Sequence, residues 1–228
     1  MKKMIEDSLI KLMLQLVNDN KVDAKKLRSA LGTTFTKGQE IREWFYQFYT
    51  NYGIENITKK KFELSGCPFT EDEILEAEKN NEVILCVPKG VSKAQLGEMF
   101  RIDSWALTDQ LVGETVEPED FWFKTKKTKS PENIRRTGID MTYFIDNNNY
   151  VHFTLERYLV FLQVVKKLTG EYPDQEYWIW ITKGRYDRSG MLMAGFDRLK
   201  RFNVHGWMPH FDAGYLGARY GELPQSRR

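Results

Sequence analysis

At 228 residues, with 41% hydrophobic and 29% charged side chains, the chain can bury a substantial core, and this composition excludes a disordered polyelectrolyte. A net charge of +2 provides no global field to gather nucleic acid or an anionic membrane, so any such attraction must come from a local patch. Two cysteines, Cys67 and Cys86, exclude a disulfide framework and point to a reducing compartment.

The chain opens on Lys2 and Lys3 as a signal peptide does, but Glu6, Asp7 and Lys11 interrupt what should be an uncharged region, and no small-residue cleavage site follows. No run approaches the roughly eighteen apolar residues of a membrane span, so no membrane partner is expected and the expected address is cytoplasmic. Ile5, Leu9, Leu12 and Leu16 recur at helical spacing and predict a first helix ending near Asn18 to Asn20. Asp23 caps a second, stopped by Gly32. A third starts near Thr36 and carries Ile41, Trp44, Phe45, Phe48, Tyr49 and Tyr52 on one face, which reads as core packing. Residues 1–60 are thus expected to form a helical N-terminal unit, with the polar stretch from Ile54 to Gly66 as the join to an α+β domain over 61–228.

The second unit begins with a Thr70/Glu73 capping box and a short helix through Ala77, then a turn at Asn80 and Asn81 and a buried strand from Val83 to Val87. Ser92 caps the next helix, and Trp105 to Val112 is expected to form another. Phe121 to Lys127 reads as a strand, and Thr142 to Ile145 as a second, closed by an Asp146–Asn149 turn. Thr154 caps the clearest helix, with Leu155, Tyr158, Leu159, Leu162 and Val165 on its inner stripe, Val160, Phe161 and Val164 on its flanks, and Gly170 past its end. Strands follow at Tyr177–Thr182, Met191–Phe196 and Phe202–Trp207, the first two joined as a hairpin. The expected architecture is a mixed or antiparallel sheet packed on this long buried helix.

The order of a short strand and Asn-rich turn, then TLERYLVFL, WIWITKG, SGMLMAGF and a terminal LGARYG, resembles a family of uncharacterised bacterial domains of unknown function. The resemblance spans roughly the last ninety residues, with EVILCVPKG as a weaker upstream match. It is a pattern of packing residues and turns. It implies the α+β class and a bacterial or phage origin, and it transfers no functional residue.

Four segments could carry function. Ser92 to Leu111 is spaced like a helix-turn-helix, but Arg101 sits where the turn wants glycine, and Asp103, Asp109 and Glu114 offer phosphates no cation. The basic run from Lys124, with Lys126, Lys127, Lys129, Arg135 and Arg136, could neutralise phosphates, and an exposed Trp122 beside it could stack bases. Arg185, Asp187 and Arg188 lie on a hairpin loop that could grip an anion. His205, His210 and Asp212 offer two imidazoles and a carboxylate for a metal, although Gly206 and Pro209 make the path between them irregular and packing accounts for both histidines. Phosphate loops, dinucleotide fingerprints and nucleophile elbows are all missing, so no catalytic residue and no cofactor are assigned. The best reading is a non-enzymatic interaction or binding module with a protein partner or a nucleic-acid backbone. The alternatives are a nucleic-acid-binding protein using Lys124–Arg136 and a metal-dependent hydrolase using His205, His210 and Asp212.

Overall fold

A computed structural model describes residues 35–186 and 190–227. The two expected helices before residue 32 lie outside these residues. Helix α1 (Lys37–Asn51) starts where a capping box places it: the Thr36 hydroxyl accepts from the Gln39 N–H, and the Gln39 side chain accepts from the Thr36 N–H. Its aromatic stripe is core. Phe45 meets Trp122 edge-on at 5.6 Å, and the buried Tyr49 hydroxyl donates to the Cys86 carbonyl at 2.6 Å. Where a polar join was expected, a short helix α2 (Ile54–Thr58) forms between two left-handed residues, Gly53 (φ 74°) and Lys59 (φ 57°). Phe62 and Leu64 then enter the core, so this stretch is packed structure as well as a connection.

Helix α3 (Glu71–Lys79) keeps the expected Thr70/Glu73 box. Strand β1 (Glu82–Val87) pairs antiparallel with β2 (Phe121–Lys126) through six residue pairs, Glu82 opposite Lys126 and Val87 opposite Phe121. Between them runs α4 (Lys93–Phe100), capped by Ser92. The second helix expected at Trp105–Val112 shrinks to a 3-10 turn at Trp105–Leu107. The cause is local chemistry: the buried Lys93 ammonium donates to the Asp109 and Val112 carbonyls, both at 2.7 Å, and the Asp109 carboxylate accepts from the Leu111 N–H, which fixes an irregular backbone. Arg101 takes the left-handed conformation (φ 55°) in place of a glycine. A helix-turn-helix is therefore not formed.

A second correction falls at Thr142–Ile145, expected as a strand. These residues lie inside helix α5 (Gly138–Asn147), capped by Thr137, whose hydroxyl accepts from the Asp140 N–H at 3.1 Å. Met141 and Ile145, four residues apart, bury against Trp180 and Met191, and this tertiary contact overrides the β-like composition of TYFI. Helix α6 (Leu155–Thr169) is the expected one, ended by Gly170 in the left-handed region (φ 86°). It is buried almost all round, sharing one cluster with β1 and with Ile179, Ile181, Leu192, Ala194, Phe202 and Val204.

Those last six residues belong to a five-stranded mixed sheet. Its members are β3 (Asn133–Ile134), β5 (Trp178–Tyr186), β6 (Gly190–Phe196), β7 (Phe202–Trp207) and β8 (Leu216–Ala218), in the spatial order β3-β8-β5-β6-β7. Strands β5 and β8 run parallel; the other pairs are antiparallel. A small pair, β4 (Val151–His152) with β9 (Tyr220–Gly221), completes an α+β fold. Strand alternation sends Ile179, Leu192 and Val204 toward α6, and sends Trp178, Trp180, Met191, Met193, His205 and Trp207 to the opposite face. Helix α5 covers only part of that second face. Among the described residues, no helix is long and apolar enough to cross a membrane.

Candidate functional site

The basic run is largely structural. Lys124 is buried, its ammonium 2.8 Å from Glu82 and 3.5 Å from Glu222. Burial opposes its charge, yet the two carboxylates hold its pKa above the usual value. Lys126 pairs with Glu82 at 3.2 Å and donates to the Asn80 carbonyl, and Lys129 pairs with Glu171 at 3.3 Å. Trp122, expected as an exposed stacking platform, is 1% exposed, and its indole N–H donates to Ser65. The backbone of the run faces inward, where it wraps Arg219. That guanidinium donates to the Lys126 and Thr128 carbonyls and grips Asp174 bidentately, with both contacts at 2.7 Å. Three cations of the run have no ion pair among the described residues: Lys127, which is half-buried, and Arg135 and Arg136 at the far end, which are exposed.

A chain of hydrogen bonds that resembles a catalytic triad joins Asp146, His152 and Thr182. His152 Nε2 lies 2.7 Å from the Asp146 carboxylate and Nδ1 lies 2.8 Å from the Thr182 hydroxyl. A carboxylate only accepts, so Nε2 carries the proton and Nδ1 accepts from Thr182. The burial order is inverted for nucleophilic catalysis: Thr182 is wholly buried while Asp146 is half exposed. The chain is a clamp between α5 and β5. Burial, helped by Lys183 and Arg157 and opposed by Asp146, lowers the His152 pKa. The unfolded chain therefore binds the extra proton first as pH falls. The stability this residue contributes is fully present above about pH 6.5 and is lost as pH drops toward the lower folded value. Urea midpoints are expected to fall between about pH 7 and 5, and His152→Gln is expected to flatten that dependence. An unchanged slope in the variant contradicts the assignment.

Other buried charges are spoken for. Arg157 pairs with Glu117 at 2.8 Å and caps the Phe121 ring, while Glu156 accepts from the Thr115 N–H at 3.0 Å and burial raises its pKa. An apolar cleft of ≈ 240 Å³ between α1, α3, β1 and α6 has two carboxylates at its edge, and both are engaged: Glu78 by Lys37, Glu82 by Lys124 and Lys126.

Of the hairpin-loop candidates, Arg185 is exposed on β5 with its carbonyl accepting from Gly113, while Asp187 and Arg188 lie outside the described residues. His205 is on β7, and His210 and Asp212 are on the loop after it, all exposed. Among the described residues, no group of three or more His, Cys, Asp or Glu side chains is placed to hold a metal.

The second face of the sheet gathers what the sequence scattered. Trp178 begins β5, where its N–H donates to the Tyr215 carbonyl at 2.8 Å. Its cross-strand neighbour on β6 is Gly195, where a side chain would meet the Tyr177 carbonyl at 2.7 Å and the Trp178 ring at 3.1 Å. The missing side chain lets the Trp178 ring reach across to His205, 5.0 Å away between centroids. Met193 lies opposite His205, and Met191 opposite Trp207. Trp207 meets Phe211 at 5.8 Å, and Phe211 packs on the Met141–Trp180 cluster. Trp207, Met208 and Tyr215 remain 44%, 66% and 49% exposed. The Arg135 guanidinium lies beside the Gly214 backbone, next to Tyr215. Sequence reasoning singled out His205 in this band but neither Trp207 nor Tyr215. The signal was present: GWMP places two large apolar residues between Gly206 and Pro209, where the strand gives way to a turn and polar residues are the rule. Comparison of the chain with protein-family models, curated proteins and solved structures finds no match.

Proposed function

We propose that this chain is a non-enzymatic binding module whose contact surface is the sheet face around Trp178, His205 and Trp207. The observation that carries the reading is the exposure of Trp207, Met208 and Tyr215 beside this face: the Trp207 ring meets the half-buried Phe211, and the Tyr215 carbonyl accepts from the N–H of the half-buried Trp178. Isolated apolar residues are ordinary on a surface, but aromatic and methionine residues gathered at one sheet face with an arginine at its margin have the composition of a recognition surface. A cytoplasmic setting and a bacterial or phage origin belong to the same proposal. The test is photo-cross-linking in cells, with benzoylphenylalanine in place of Trp207 or Tyr215 and, as control, in place of the exposed Lys61. Adducts at 207 and 215 but not at 61 are the expected outcome. Equal adduct formation at all three, or none at any, removes the reading.

A further inference from the structure

We propose that the occupant of this face is a single-stranded nucleic acid, an inference that rests on the binding-module reading and names its partner. Charge supports it first. Lys124, Lys126 and Lys129 of the basic run are neutralised by Glu82, Glu222 and Glu171, whereas Arg135 and Arg136 have no ion pair among the described residues, and Arg135 abuts the loop that holds Tyr215. The positive end of the run therefore meets the aromatic band. Glu132, Asp140, Glu176 and Asp212 are exposed acids near these groups in sequence, and among the described residues none forms an ion pair with Arg135 or Arg136.

Shape supports it second. Helix α5 buries Trp180, Met191, Leu216 and Ala218 on this face, so its accessible part runs from Trp178 at the start of β5 across Met193 on β6 to His205 and Trp207 on β7. Three strands at ~4.8 Å spacing span about 10 Å, a scale on which sheet aromatics stack unpaired bases. Tyr215 stands beside the start of β5, the Trp178 and His205 rings meet at 5.0 Å with a 38° tilt across Gly195, and Trp207 ends β7. Rings offered in this way accept any base by its π-face, while two arginines beside them hold phosphates. Stacked bases in a duplex cannot reach such rings, so the same face discriminates against double strands.

The test is fluorescence anisotropy of the full chain with a labelled twelve-nucleotide oligouridylate, the matching oligothymidylate and a twelve-base-pair duplex. Single strands are expected to bind and the duplex to bind more weakly. Trp207→Ala and Tyr215→Ala are each expected to weaken binding about 5- to 150-fold, the worth of one base–aromatic stack. Arg135→Ala combined with Arg136→Ala is expected to lower the slope of log affinity against log salt by about 1.4, two phosphates at ~0.7 each. Lys127→Ala with Lys129→Ala should leave affinity within about twofold. If Trp207→Ala lowers the melting temperature, the exposed Tyr215→Ala decides. Duplex bound as tightly as single strand, or affinity insensitive to Trp207 and Tyr215, overturns the inference. So does the absence of any binding at 50 mM salt. Protein adducts at position 207 without oligonucleotide binding would overturn the partner while leaving the binding-module reading standing.

Discussion

Arg219→Met is expected to cost about 3–5 kcal/mol in urea unfolding, because it strands a buried carboxylate. Asp174 is wholly buried and accepts from Arg219 through both oxygens; without the guanidinium it keeps only the Tyr158 hydroxyl, at 3.2 Å. Burial raises the Asp174 pKa even with Arg219 in place, so the carboxylate depends on its partner to stay charged. The same loss removes three further contacts, to the Lys126 carbonyl and to the Thr128 hydroxyl and carbonyl. Adding Asp174→Asn to Arg219→Met should restore part of the stability, since it deletes the orphan charge and asparagine tolerates the left-handed backbone at this position (φ 56°). A double variant no more stable than the single one contradicts this account.

Leu159→Ala and Leu162→Ala are each expected to cost about 2–5 kcal/mol through lost burial and the cavity left behind. Both residues are wholly inaccessible and belong to the cluster that joins β1 to the five-stranded sheet. Collapse around the gap is restricted, because the helix is packed on several sides and cannot shift toward one partner without leaving another. A measured change below about 0.5 kcal/mol would place α6 at the surface and contradict the packing described above.

What could be read from the sequence was what local chemistry decides. The boxes at Thr36, Thr70 and Ser92 and the stop at Gly170 specify helix ends within a few residues, and the unbroken apolar content of α6 specifies its burial. The α5 segment failed because TYFI has the composition of a strand; only contact with Trp180 and Met191 selects the helix. The region after Leu107 failed for a similar reason, since the ammonium that ties its carbonyls comes from Lys93 on another element. At the candidate face, residue types were visible but adjacency was not. Strand order brings Tyr215 beside Trp178, and the gap at Gly195 brings Trp178 to His205, and neither can be read from spacing along the chain. Arg135 and Arg136 were legible as cations, yet the company they keep is set by pairing between β3 and β8.

The position of β8 inside the sheet has a consequence for how the molecule is made. Leu216–Ala218 follows every other strand of this sheet along the chain, but it fills the slot between β3 and β5, pairing antiparallel with one and parallel with the other. During synthesis at about 5–20 residues per second, β5, β6 and β7 can zip as a meander, while β3 and the inner edge of β5 wait for their neighbour. Parallel pairing across a long loop is slow, so the nascent chain presents an open, tryptophan-bearing strand edge until β8 emerges. Holding chaperones would meet the protein at that stage, and ribosomes stalled before residue 216 should release a product prone to aggregate.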